Sequence, residues 1–278
     1  MTSAALHGVA TFAYLFATFF YVVYLATRGR AIGNLATVTS LVGVVAHLGG
    51  KIVRWVESHQ MGIGHAPLSN MYESMSFFAL CVVGAYLIVE WRFKQKALGA
   101  IVLPIAFVIM AANALFFPDD IRPLVPALQS DWLLYHVITS FVSYGAFAVS
   151  FAVSIIYLIK YRAERVGSEG TFVNLFPDLK MLDEVNYKSI AVGFPLLSLG
   201  IITGAAWANY AWGTYWSWDP KETWSLITWF IYAAYLHARL TRGWQGKRAA
   251  ILSIIGFAAV VFTYFGVNFL LSGLHSYA

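Results

Sequence analysis

The sequence predicts an all-α integral membrane protein, a bundle of about eight transmembrane helices that form a single polytopic domain over residues 1–278. Hydrophobic residues make up 60% of the chain and charged residues 11%, whereas a soluble protein has about 45–50% and about 25%. Eight long apolar runs, each near the roughly 20 residues that a membrane span requires, account for most of the length. The runs lack the alternation of transmembrane β-strands, so helices are expected.

The eight predicted spans are separated by short polar segments. They cover residues 5–27, 35–56, 71–91, 97–117, 132–160, 190–208, 223–240 and 249–271. The longest polar stretch, 161–188, mixes both charge signs. It is therefore predicted to lie along the cytoplasmic membrane surface.

Basic residues are shared unevenly between alternate loops. Of the 18 Lys and Arg residues, 14 fall in one set of loops, and only Lys51, Arg54, Arg122 and Lys221 fall in the other. Because cytoplasmic loops carry the excess of positive charge, the first set is predicted to be cytoplasmic and both termini extracytoplasmic. This topology accounts for the net charge of +5, and no nucleic-acid partner is expected.

One predicted outer loop, residues 207–224, holds five of the ten tryptophans. An interfacial aromatic belt is one interpretation, because Trp and Tyr are enriched at that depth. Asp219 and Pro220 would then simply start the seventh helix. The other interpretation is a flat aromatic floor for a planar macrocycle, with Lys221 and Asn209 as candidate contacts for its carboxylates.

Two histidines are expected at the same membrane face as this loop. His136 lies about one turn inside the outer end of the fifth span, and His275 lies just beyond the eighth. A lone outward histidine is more often a headgroup contact. Two neutral imidazoles beside an aromatic floor suit a haem whose iron takes two axial nitrogens.

His237 is predicted about 20 Å down the seventh span, counted at 1.5 Å per residue. An ionisable group at that depth is a functional candidate, although it could also stabilise the helix C-terminus beside Arg239. The chain offers no second ligand in the inner half, because His7 and His47 fall in the outer half. A metal bound by His237 would therefore need a ligand from another polypeptide.

The second outer loop, residues 51–73, carries a cluster of polar side chains: His59, His65, Asn70 and Glu73. The cluster is interpreted either as a lid or partner contact, or as a solvated turn, since loops are polar without being functional.

The run WGTYWSWDPKETW, residues 212–224, resembles the WWD signature of haem-handling proteins in cytochrome c biogenesis. Two further segments support the resemblance: GHAPLSNMYES at 64–74, and VNFL at 267–270 followed by GLHSY at 273–277. From about residue 50 onward, the chain resembles the CcsA (ResC) family, subunits of the System II cytochrome c synthase.

The resemblance implies that haem b, as bound ligand and substrate, is held at the outer face and joined there to the Cys-x-x-Cys-His motif of apocytochrome c. His136 and His275 would be external axial ligands. His237 would be a transmembrane haem ligand whose counterpart lies in a CcsB (ResB) subunit. The loop residues predicted to contact haem are Trp212, Gly213, Trp216, Trp218, Asp219, Lys221 and Trp224.

The predicted activity is that of a haem lyase that forms thioethers, only in complex with the CcsB-like partner; no catalytic acid or base is assigned. A thioredoxin-like thiol reductase is a further candidate partner. The expected location is a bacterial plasma membrane or a thylakoid membrane, with the active face extracytoplasmic. One alternative is a haem exporter or chaperone without synthase activity, which the eight spans disfavour. Another is a di-haem electron-transfer cytochrome, which would need an inner histidine pair.

Overall fold

Helices provide all the regular structure in the part of the chain that the structure describes. The structure, a computed structural model, describes residues 2–167, 170–271 and 273. The chain divides into two compact units, Met1–Val137 and Ile138–Ala278.

Four long helices lie wholly in the first unit: α1 (Ser3–Thr27), α2 (Arg30–Gln60), α3 (Met71–Phe93) and α4 (Gly99–Phe116). The fifth helix, α5 (Asp131–Arg165), begins in the first unit and continues in the second. The other helices of the second unit are α6 (Thr171–Asn174), α7 (Leu179–Trp212), α8 (Pro220–Arg242), α9 (Lys247–Val261) and α10 (Val267–Leu270), and a π-helical turn (Phe262–Gly266) joins the last two.

The predicted all-α membrane fold is confirmed. Seven described helices are long and apolar enough to cross a membrane, and they coincide with seven of the eight predicted spans. The remaining one, α8, has 23 residues and a length of about 35 Å, enough for a bilayer core of about 30 Å. Its composition is more polar than that of the seven, so the count of eight spans stays a prediction. The orientation of the termini also stays a prediction.

The predicted surface segment 161–188 is shorter than expected. α5 extends to Arg165, and α7 already begins at Leu179, where the Asp178 side chain accepts a hydrogen bond from the Met181 N–H at 2.7 Å. The apolar runs end before the helices do, because charged side chains at a helix end can reach water while the backbone remains helical. Within the described residues, the connection is therefore confined to residues 166–178.

In the first unit, α2 packs against α1 through small residues. A Cβ atom added at Gly43 would lie 2.6 Å from the Tyr14 ring, and one added at Gly50 would lie 2.6 Å from the His7 ring. Both glycines leave room for a ring of α1, and small residues of this kind are common at helix interfaces in membranes. The residues on the buried face of α2 are either small or polar: Gly33, Ala36, Ser40, Gly43, His47, Gly50, Lys51, Arg54 and Ser58.

The second unit is built around α5. Phe147 of α5 stacks on Tyr232 of α8 with ring centroids 3.7 Å apart. Ser150 donates a hydrogen bond to the Asn186 side chain of α7 at 2.7 Å and lies 2.5 Å from the Ser253 hydroxyl of α9. These contacts join α5 to α7, α8 and α9, and the side of α8 that carries Tyr232 is buried.

Candidate functional site

The tryptophan-rich segment predicted as a loop over 207–224 is mostly helical. α7 continues to Trp212 and α8 begins at Pro220, so the connection comprises only residues 213–219. The helix extends because Trp207 is buried and packs against Trp212 at 5.0 Å between ring centroids. Gly213 then ends the helix with a φ of 77°, a conformation that glycine adopts without steric cost.

The start of α8 holds the end of this connection in place. The Asp219 side chain accepts a hydrogen bond from the Lys221 N–H at 3.0 Å. In return, Glu222 accepts hydrogen bonds from the backbone N–H groups of Asp219 at 3.1 Å and Ser217 at 2.8 Å. This is a capping box with proline in the first turn. The predicted helix start at Asp219 and Pro220 is confirmed.

Trp218 has a strained backbone and an exposed side chain. Its φ is 61°, a left-handed conformation that costs a non-glycine residue roughly 1–2 kcal/mol. The Thr223 hydroxyl donates to the Trp218 carbonyl at 3.3 Å, so the first turn of α8 helps to hold this conformation. The side chain is 68% exposed. Backbone strain that presents an exposed aromatic ring is typical of a binding position.

Trp216 lies edge-on to Trp218, with ring centroids 5.7 Å apart and planes at 87°. Its indole Nε1 is buried and makes no hydrogen bond in the described part of the chain. A buried donor without a partner costs about 1–3 kcal/mol. A bound acceptor would remove that cost, so this atom favours a ligand that brings an oxygen to the connection.

Lys221 supplies a positive charge in the first turn of α8, three residues after Trp218. Its Nζ donates to the Asn268 side chain of α10 at 2.9 Å. Burial lowers the pKa of Lys221 to about 8, although the negative charge of Asp219 acts to raise it. The next turn of α8 also contacts the segment before α10, because Trp224 packs on Phe262 at 4.2 Å.

The chain returns to Asp219 shortly after α10. A Cβ atom added at Gly273 would collide with the Asp219 carboxylate and lie 3.1 Å from Pro220 Cδ. Glycine is therefore needed at position 273 for this close approach. The predicted ligand His275 lies two positions further on, outside the described residues.

The other two predicted ligands lie on described helices. His136 is half-buried in the second turn of α5 and belongs to the first unit, whereas the 213–219 connection belongs to the second. Its pairing with His275 stays a prediction. His237 lies on an exposed face of α8 together with Phe230 and Ala234. The opposite face of that helix, which includes Tyr232, is buried.

Four polar residues of the first unit are buried, which the sequence did not predict: Lys51, Arg54, His65 and Glu73, here called the Arg54 cluster. Arg54 Nε donates to Glu73 Oε1 at 2.7 Å, and both side chains are almost fully buried. The Lys51 ammonium donates to the Pro67 carbonyl at 3.2 Å. The interpretation of the polar cluster in residues 51–73 as a solvated turn is therefore wrong for His65 and Glu73, which are buried.

The Arg54 cluster also forms hydrogen bonds with the loop between α4 and α5. The two Arg54 NH groups donate to the carbonyls of Asp119 at 2.7 Å and Asp120 at 3.0 Å, and His65 Nε2 lies 3.0 Å from the Arg122 carbonyl. Residues 47, 51, 54 and 58 recur at helical spacing on α2. That spacing was the signal for a polar face turned inward.

His7 and His47 form a second buried group that the sequence did not predict. Their ring centroids are 5.3 Å apart. His47 lies within hydrogen-bond distance of the Tyr14 hydroxyl at 3.1 Å and of Ser76 Oγ at 2.7 Å. His7 lies 3.1 Å from the Tyr72 hydroxyl. With both nitrogens occupied, His47 is a packing histidine.

The sequence and the fold both have known counterparts. The family model described as "Cytochrome C assembly protein" matches residues 68–275. The protein named "Cytochrome c biogenesis protein CcsA" from Guillardia theta is 43% identical over 264 residues, which cover 88% of this chain and 85% of the relative. The CcsA protein from Gloeobacter violaceus is 40% identical over 296 residues, covering 88% and 86%.

A solved structure titled "Cytochrome c Heme Lyase CcmF" matches with a TM-score of 0.64 at 18% identity. The match covers 95% of this chain and 46% of that one, so this chain spans about half the length of the solved structure. This likeness concerns the fold. From the family model and the curated relatives together, the chain belongs to the cytochrome c assembly protein family, as a CcsA-like member with a role in cytochrome c biogenesis.

Proposed function

We propose that this chain handles haem at the outer membrane face and attaches it covalently to apocytochrome c, as one subunit of a System II cytochrome c synthase. The observation that carries the proposal is the capped connection 213–219, which holds an exposed Trp218 next to a buried, unpaired Trp216 N–H. The membrane is that of a bacterial cell or a thylakoid, with this connection on the extracytoplasmic side.

Haem matches the chemistry of the connection. Its macrocycle is planar and apolar, which suits the exposed indole of Trp218. Its propionates are anionic acceptors, and charge-assisted hydrogen bonds from Trp216 Nε1 and the Lys221 ammonium would satisfy them. The capping box around Asp219 keeps these groups in place before haem arrives. Preorganisation of this kind reduces the ordering cost of binding.

His136 and His275 are proposed as the two axial ligands of this haem. The position of Gly273 against Asp219 supports the assignment of His275, because the ligand follows two residues after a contact with the haem-binding connection. Neutral imidazole is a common iron ligand. A histidine of the apocytochrome motif could replace one of the two when the product leaves.

His237 is proposed as a ligand of a second haem, within the membrane, that this chain shares with a CcsB-like subunit. Its exposure on α8 supports the proposal, since a face with Phe230 and Ala234 is open to a partner helix. His7 and His47 are predicted to lie in the outer half of the membrane, so the second axial ligand of this haem is assigned to the partner.

Attachment itself requires no change in the net oxidation state of the reactants. The thiol S–H of an apocytochrome cysteine adds across a haem vinyl group: a C–S bond forms, the vinyl π bond is lost, and the proton ends on the other vinyl carbon. The contribution proposed for this chain is position, because holding two reactants in the correct geometry can be worth several kcal/mol. A thioredoxin-like reductase would keep the cysteines as thiols.

The test is haem retention in the complex purified with a CcsB-like partner. His136→Ala or His275→Ala should deplete haem at the outer site, and added imidazole should restore it by filling the open coordination position. His59→Ala, which changes an exposed histidine of α2, is the matched control. An unchanged Soret band in the double variant would refute the ligand assignment.

A haem stain for covalently labelled cytochrome c separates synthase from exporter. Co-expression with the partner should yield labelled cytochrome, and expression of this chain alone should not. Bound haem without covalent product in the presence of the partner would favour the exporter. For His237, loss of the transmembrane haem in His237→Ala is expected, and retention at the wild-type level would contradict its role.

A further inference from the structure

A cavity of about 680 Å³ lies in the second unit, at the end that the charge distribution predicts to be cytoplasmic. It is formed by the last turns of α5, the first turn of α7 and the connection from α8 to α9. The connection includes Gly246, whose φ of 68° suits glycine and whose Cα faces the Tyr157 hydroxyl. Its lining includes Lys180, Asp183, Arg242, Trp244, Lys247 and Arg248.

The charge of this cavity is strongly positive. Four of its lining residues are basic: Lys180, Arg242, Lys247 and Arg248. All four are exposed, and none forms an ion pair within the described part of the chain.

The one acidic lining residue, Asp183, is already neutralised. Its carboxylate forms an ion pair with the Arg239 guanidinium at 2.7 Å and accepts a hydrogen bond from the Gly246 N–H at 2.7 Å. Four cations without counter-ions around one concavity favour an anionic occupant.

The surroundings of the cavity favour an anion that carries an apolar tail. Arg248 lies at the rim of the cavity. Ile251 and Ile255 lie on the same face of α9 as Arg248, and their side chains are 40% and 49% exposed. Residues three and seven positions apart lie on the same helix face. Trp244 contacts Arg248 at 5.5 Å and provides the aromatic residue expected at the level of lipid headgroups.

We propose that this cavity binds the headgroup of an anionic phospholipid from the cytoplasmic leaflet, with one acyl chain along Ile251 and Ile255. The phosphodiester would meet Lys180, Arg242 and Lys247. Clusters of Lys and Arg next to transmembrane helices are the typical sites for such headgroups. The described lining contains no His, Cys or Met side chain, which are the commonest axial ligands of a haem iron.

Native mass spectrometry of the full chain in neutral detergent tests the proposal. The chain is mixed with equal amounts of dioleoylphosphatidylglycerol and dioleoylphosphatidylcholine, which share acyl chains and differ in headgroup charge. The phosphatidylglycerol adduct should dominate. Each basic residue is expected to contribute about fivefold in affinity, so the variant K180Q/R242Q/K247Q should lose roughly 100-fold and bind both lipids equally.

The matched control is R162Q/R165Q/K188Q, which removes three exposed charges from the same end of the unit but outside the cavity lining. It should keep the preference for phosphatidylglycerol. Equal adducts of the two lipids with the unchanged chain would overturn the proposal, as would equal losses in both variants. Displacement of phosphatidylglycerol by excess inorganic phosphate would assign the cavity to a free anion instead. Equal Tm values of the two variants without lipid would exclude misfolding as the cause.

Discussion

The Arg54 cluster of the first unit and the 213–219 connection of the second use their polar groups in opposite ways. In the Arg54 cluster, Glu73 accepts hydrogen bonds from Arg54 and from both the N–H and the hydroxyl of Ser69. Arg54 also donates to two backbone carbonyls. In the connection, Trp216 Nε1 stays unpaired and Trp218 is exposed. A saturated network stabilises a fold, whereas unused donors beside an exposed ring remain available to a ligand.

The comparison predicts its largest effect on stability at Arg54. Arg54→Met leaves the Glu73 carboxylate buried without its charge partner, which typically costs about 3–5 kcal/mol. The free energy of unfolding in mixed micelles should fall by that amount. Arg122→Met is the matched control, because the Arg122–Asp120 pair is largely exposed and should contribute less than about 1 kcal/mol. Equal losses in the two variants would mean that the Arg54 cluster is not the structural element inferred here.

The sequence predicted the helices well because a membrane span is a property of composition over about 20 residues. Seven predicted spans each fall on one described helix, and the last covers α9, the π-helical turn and α10. The ends agree to within five residues, except that α7 begins 11 residues before the predicted start. The mean hydropathy of a span carries no information about which side of the helix is buried, however. α2 turns Leu41, Val45 and Ile52 outward and His47 inward, the reverse of a soluble helix, because lipid rather than water surrounds the bundle.

The extent of the aromatic segment was harder to predict. Trp and Tyr are compatible with a helix as well as with a loop, so the sequence did not reveal that α7 continues to Trp212. The left-handed backbone of Trp218 was also hidden, since a bulky residue normally avoids that region. The motif nevertheless identified Trp216, Trp218, Asp219 and Lys221 as neighbours, because the Asp-Pro pair and the following Glu222 encode a helix start.

A substitution at Trp216 should separate an effect on haem binding from an effect on stability. Trp216→Phe removes a buried donor that has no partner, so stability should be unchanged or slightly higher, while haem retention falls about 10-fold or more if a propionate accepts from Nε1. Trp55→Phe, at an exposed tryptophan of α2, should change neither quantity. Haem titration and Tm measured on the same preparations provide the check. Unchanged haem affinity in Trp216→Phe would remove this atom from the binding surface.

The smallest expected effect, and the most specific test, is the dependence of stability on pH that Lys221 causes. Its pKa in the folded chain, about 8, lies below the ordinary value of 10.5, and the residue precedes the predicted span 223–240. The folded state therefore binds fewer protons than the unfolded state between these two values. Stability should rise as the pH increases from about 8 to 10.5.

Lys221→Met should flatten that rise, because it removes the titrating group. Bound haem should flatten it as well, since a propionate beside the ammonium favours the charged form and moves its pKa back up. Tm measured against pH, with and without haem, tests both statements. A slope that haem leaves unchanged would mean that Lys221 meets only Asn268, and the positive charge beside the tryptophans would then belong to the fold, as it does at Arg54.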